Sequence, residues 1–142
     1  MKKLILLCLL IVLSLSLIAC TGEGVSGAAI GHSGRSSHNP QGGKAEGSYN
    51  KIKGTYPASY EISIVNNDVI FVEITAAVET GALNVYLKGP DGEVTEMTLA
   101  AGESGTLSGA AEVSMNEEFR IYYEAVNGEA EGITYTMSYT YE

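Results

Sequence analysis

Cys20 is the residue best placed to do chemistry in this chain, and its neighbours say which chemistry. It follows Leu17-Ile18-Ala19, at the end of a nearly unbroken apolar run from Leu4 that is preceded by Lys2-Lys3. A positive start, an apolar middle and a small residue at the cut make up an export signal. Cleavage after Ala19 would leave Cys20 first in the mature chain. The only other cysteine, Cys8, lies inside the apolar run, so no disulfide is expected. A lone thiol in an exported chain calls for an explanation.

The tetrad Leu17-Ile18-Ala19-Cys20 resembles the lipobox of bacterial lipoproteins. The resemblance implies that residues 1–19 are a signal peptide and that Cys20 carries two or three acyl chains, palmitate among them. It also implies a protein held on the extracytoplasmic side of the cell membrane. One chain binds a bilayer only marginally, and several make the attachment stable. A membrane-spanning helix is the plainer alternative. The run from Leu4 to Ala19 falls short of the ~20 residues a span needs. An ordinary secretory signal without lipid is the other alternative, and it leaves Cys20 without a purpose.

Other chemistry fails on inventory. Beyond residue 47 the chain has no histidine and no cysteine, so neither a Ser-His-Asp nor a Cys-His site can be assembled there, and zinc lacks ligands. His32 and His38 stand six apart among Gly and Ser, and are expected to be solvated polar residues. A Ser-Lys pair would need Lys88, which falls on the outward phase of a strand. Scattered Asp and Glu make chance carboxylate pairs, but a domain this small leaves little room for a glycosidase cleft. Calcium would look to Asn66-Asn67-Asp68 or to Asp91 and Glu93, and neither has the repeated spacing of a dedicated loop. The chain is expected to be no enzyme, with no cofactor and no metal.

The sharpest candidate for binding is a surface patch. Tyr86 and Tyr122 fall on the solvent phase of their strands, and each neighbours one of the two cations beyond Gly54, Lys88 and Arg120. If the two strands adjoin, the four residues form an aromatic and basic patch on an acidic body, suited to a sugar face or a protein hot spot. The simpler expectation is a cross-strand tyrosine pair that covers the sheet, with a nearby Glu neutralising Arg120.

These residues must be positioned by strands. The precursor's formal charge is −9. From Gly54 onward the carboxylates far outnumber the two cations, which excludes nucleic acid, since phosphate contact needs Lys and Arg. Residues 20–47, with Gly22, Gly24, Gly27, Gly31, Gly34, Gly42, Gly43 and Gly47 among serines, read as a disordered tether that buries too little apolar area to offset its ordering entropy. From residue 48 to 142 the apolar residues alternate. Tyr60, Ile62 and Ile64 come first. Ile70, Val72, Ile74 and Val78 follow, with Phe71 on the other face of a strand partly covered on both sides. Leu83, Val85 and Leu87 lead to the turn Gly89-Pro90-Asp91-Gly92, and Val94–Leu99 returns. Ala100–Ala111 is weaker, with Leu107 pinning an edge strand. Phe119, Ile121, Tyr123 and Ala125 precede the turn signal Asn127-Gly128. Ile133, Tyr135, Met137, Tyr139 and Tyr141 form the last strand.

No helical periodicity appears beyond the signal. The pattern predicts one all-β domain, a single antiparallel β-sandwich of about 7–8 strands, immunoglobulin-like or jelly-roll-like. Leu83 to Gly92, Phe119 to Tyr123 and Gly132 to Tyr135 together look like the small sandwich domains of bacterial surface lipoproteins. That resemblance supports the fold and implies no assigned activity. The expected function is a lipid-anchored, non-enzymatic binding or structural module at the cell surface, meeting a protein or glycan partner. The alternatives are an accessory subunit or ligand carrier of a membrane complex, or a cell-wall glycan-binding module.

Overall fold

Two long strands carry the architecture of the computed structural model, which describes residues 26–62 and 69–141. The elements are β1 (Gly27–Ile30), β2 (Ser33–Asn39), β3 (Gly42–Glu61), β4 (Val69–Ala77), β5 (Leu83–Lys88), β6 (Val94–Leu99), β7 (Ser104–Glu112) and β8 (Glu118–Tyr141). β3 and β8 run antiparallel along almost their whole lengths, from Gly42 opposite Thr140 to Glu61 opposite Glu118. Midway the register slips. Lys53 faces Glu129, whereas Thr55 faces Glu124, so β8 bulges outward where Val126 stands half exposed. Opposite the bulge, Gly54 takes φ 60, a left-handed geometry that a side chain would resist. Such bulges bend strands, and here the bend divides one continuous sheet into two layers.

The layers follow from the pairings. In the first, β3 (42–53) pairs β8 (129–140), β8 pairs β4 through Ile70–Tyr141 to Ala77–Thr134, and β4 pairs β7. In the second, β3 (55–61) pairs β8 (118–124), β8 pairs β5, and β5 pairs β6. The orders β3-β8-β4-β7 and β3-β8-β5-β6, which share two bent strands, make a jelly roll with β1 and β2 added at the edge of the first layer, which decides between the two sandwich types left open by the strand pattern. Alternate residues of both layers point inward to one core. Ile52, Ile70, Val72, Ile74, Leu83, Val85, Leu87, Phe119, Ile121, Tyr123 and Ile133 have no exposed surface. The inward phases read from the sequence are thus the buried ones.

Three expectations need correction. The segment expected to be a disordered tether is mostly strand: β1 pairs with Lys51–Gly54, and β2 pairs with Gly42–Ser48, covering the outer edge of β3. Its glycines give clearance under aromatic rings. A Cβ on Gly43 would lie 2.5 Å from the ring of Tyr139. A hydroxyl-rich hairpin needs little apolar area of its own when an existing strand edge satisfies its backbone groups. Gly43→Val is therefore expected to cost about 1–3 kcal/mol through overpacking, read as a lowered urea midpoint. An unchanged midpoint would return the segment to a tether.

The second correction concerns Asn127-Gly128. It is the bulge of β8 and reverses nothing, so the two strands read on either side are one. Third, Phe71 is 43% exposed. β4 is central in its layer, but its outer face opens to solvent beside Glu73 and Thr75. β7 does form the expected edge strand, with Leu107 buried. Pro57 sits on the stretch of β3 that has β8 on one side and no other strand partner among the described residues, the position where a missing N–H is harmless. Residues 1–25, with the signal and Cys20, and the Asn66-Asn67-Asp68 turn lie outside the described residues.

Candidate functional site

β5 and β8 do adjoin, and their register places Tyr86 opposite Tyr122. The period of two turns both rings outward, because Val85, Leu87, Ile121 and Tyr123 are all buried. The rings stack face to face, centroids 4.8 Å apart and planes 4° from parallel. Lys88 Nζ lies 4.8 Å from the centre of the Tyr122 ring, a cation–π contact. Burial, then the carboxylates of Glu124 and Glu96 with the Tyr122 ring between them in strength, raises the pKa of the Tyr86 phenol. The four residues singled out from the sequence are thus brought together.

Their arrangement changes what they can bind. Stacking covers the inner face of each tyrosine ring. What remains is a cleft of about 180 Å³ beside Tyr122, lined by Lys88, Arg120, Glu112, Ser114 and Glu118. The last strand positions of β7 and the first of β8 supply the two carboxylates. The connection between them is a tight turn, in which Ser114 N–H donates to Glu118 O at 2.8 Å and Glu117 N–H to Ser114 O at 3.0 Å. Glu117 holds φ 60 there, an uncommon geometry for a residue with a side chain. Met115 at the tip is fully exposed. Glu112, Ser114 and Glu118 escaped the sequence reading because nothing local ties them to Lys88. Only the return of β8 beside β5 does so.

Salt bridges among the described residues join Arg35 to Glu46, Lys51 to Glu129 and Glu131, and Lys53 to Glu129. Among the described residues neither Lys88 nor Arg120 makes one, although Glu112 and Glu118 share the cleft with both. Asp91 and Glu93 lie in the β5–β6 turn, where Gly89 N–H donates to Glu93 O at 2.8 Å. No group of three or more His, Cys, Asp or Glu among the described residues is placed to hold a metal ion.

A second cluster was not foreseen. His32, expected to be solvated, stacks on Tyr49 with centroids 4.8 Å apart, and its Nε2 lies 3.2 Å from the hydroxyl of Tyr135. Behind them Tyr49, Tyr60, Tyr123 and Tyr135 gather in the core. The hydroxyls of Tyr60 and Tyr123 are buried and meet no partner in good hydrogen-bonding geometry, but they lie close enough to act on one another, Tyr60 lowering the pKa of Tyr123 and Tyr123 raising that of Tyr60. His32 is exposed on its outer side. No acid or second base joins it, so the group is a polar plug at the end of the core.

No protein-family model matches the chain, and no curated protein does. Among solved structures the chain is similar to a protein of Bacillus endospore appendages, a family of disulfide-linked pili, at TM-score 0.45 and 12% identity over 80% of this chain and 93% of that one. It is similar to a family 4 carbohydrate-binding module at TM-score 0.38 and 12% identity over 77% and 78% of the two chains. It is also similar to Bacillus subtilis oxalate decarboxylase at TM-score 0.41 and 8% identity, over 81% of this chain and 27% of that one. Likenesses this distant carry no argument about ligand, activity or assembly. The class is defined by the chain's own fold and cleft: a small jelly-roll domain with a charged hollow beside Tyr122 on its outer face.

Proposed function

We propose that this protein is a lipid-anchored, non-enzymatic binding module on the extracytoplasmic face of a cell membrane. The observation that carries the reading is Cys20 directly after Leu17-Ile18-Ala19, in a chain with no cysteine beyond it. The first strand begins at Gly27, only a few residues later. At about 3.3–3.6 Å per extended residue, the body would stand within roughly 25 Å of the lipid. A domain so close to a bilayer is suited to meeting molecules that reach the membrane surface. The binding role rests on the cleft beside Tyr122, whose four charges make no salt bridge among the described residues. Its small volume and charged lining favour an interaction module over a carrier with a deep apolar pocket.

The test is the mature N-terminus. Native protein from membranes is expected to begin at Cys20 with the added mass of two or three acyl chains, and to partition into detergent. Cys20→Ser is expected to leave the detergent phase and retain its signal residues. Native protein that keeps Met1, or that carries an unmodified Cys20 in the culture medium, overturns the reading.

A further inference from the structure

We infer that the cleft between the end of β5, the start of β8 and the β7–β8 turn binds a small zwitterion of amino-acid type, with the carboxylate on Lys88 and Arg120 and the ammonium on Glu112 and Glu118. The inference rests on the binding role proposed above and names its ligand class. Beyond Gly54 the chain carries two cations among many carboxylates, and the fold gathers both at one hollow. The same hollow holds two carboxylates. None of the four charges is paired with another within salt-bridge distance among the described residues.

Each simpler ligand meets an opposing charge. A plain anion attracted by Lys88 and Arg120 is repelled by Glu112 and Glu118, and a plain amine meets the reverse. A molecule with both charges satisfies both halves at once, and charge-assisted hydrogen bonds are the strong ones. Arg120 offers a planar fork for a carboxylate. At about 180 Å³ the hollow is below the ~300–1,000 Å³ of drug-sized sites, which sets the ligand at the size of a free amino acid. The ring of Tyr122 gives its short side chain an apolar wall, and Ser114 gives a hydroxyl at the mouth.

The experiment titrates the full mature protein in detergent micelles with alanine, propionate and ethylamine, following backbone amide shifts. Alanine is expected to shift Lys88, Ser114, Glu118, Arg120 and Tyr122 saturably, and each single-charge analogue to bind about tenfold more weakly or worse. Arg120→Gln and Glu118→Gln are each expected to weaken alanine by about tenfold or more. Both side chains reach solvent, and an unchanged melting temperature shows that the variants fold. Propionate or ethylamine binding as well as alanine overturns the zwitterion, as does the absence of saturable shifts with all three, or alanine binding untouched by either variant. The intact mass of the same preparation reports Cys20 acylation, so a failed anchor and a failed ligand are read separately.

Discussion

Raising the pH above 10 is expected to unfold this domain cooperatively, with Tyr49, Tyr60, Tyr123 and Tyr139 ionising in the same step. Burial is the largest cause and raises the pKa of Tyr60, Tyr123 and Tyr49 far above 10; most neighbouring tyrosines add to the rise, while a hydrogen bond from Tyr60 lowers Tyr49 and Tyr123 by less than burial raises them. Burial, with a smaller contribution from Tyr141, raises Tyr139 to about 12. The sign follows from proton binding. Below pH 10 these phenols are neutral in both the folded and the unfolded chain, so their contribution to stability is fully present. Above pH 10 the unfolded chain loses its phenolic protons while the folded one keeps them, and stability falls. The slope is about 1.4 kcal/mol per pH unit for each such group. Tyr60 and Tyr123 together contribute about 3 kcal/mol per unit on that slope. Tyr49, only 2% exposed, acts in the same direction. A domain near the lower end of the usual ~5–15 kcal/mol would be unfolded by about pH 12. Phenolate absorbance followed together with far-ultraviolet circular dichroism checks this. A smooth titration near pH 10 with the strand signal intact would show that the tyrosines are not enclosed.

The same residues allow a paired substitution of opposite sign. Tyr123 has no exposed surface, sits on β8 where the two layers meet, and packs edge-on against Tyr49 with centroids 5.5 Å apart. Tyr123→Ala leaves a cavity bounded by Tyr49 and Tyr135, and is expected to cost about 3–5 kcal/mol. Tyr123→Phe keeps the ring and removes a buried hydroxyl that lacks a hydrogen-bond partner. Leaving such a group unsatisfied costs about 1–3 kcal/mol. The phenylalanine variant is therefore expected to match the parent or exceed it by about 1 kcal/mol. Urea denaturation of the three chains measures both. A phenylalanine variant that loses as much as the alanine one would mean that the hydroxyl is satisfied inside the core.

Much of the candidate site was legible one strand at a time. Alternation alone turned Tyr86, Lys88, Arg120 and Tyr122 outward, since Leu83, Val85, Leu87, Phe119, Ile121 and Tyr123 have one phase and one preferred side. The carboxylates across the cleft were not legible. Glu112 and Glu118 meet Lys88 only after β8 has returned beside β5, and register between distant strands leaves no local mark. The hairpin over β3 was misread for a related reason. Gly31 to Gly47 is poor in apolar area, and composition counts that area alone. It cannot see that β3 offers β2 a full edge of backbone partners, or that Gly43 leaves room for the ring of Tyr139.

By itself the sequence determined the class of the body, the inward face of nearly every strand after residue 69, and the acidic charge that sets Lys88 and Arg120 apart. It could do so because side-chain phase and net charge are properties of neighbours along the chain. The tertiary structure alone decided that β3 and β8 are single bent strands, that the layers close as a jelly roll, and that Lys88, Arg120, Glu112 and Glu118 share one hollow. Those outcomes depend on pairing between residues far apart in sequence, where backbone hydrogen bonding and close packing choose among registers that the local pattern leaves equal.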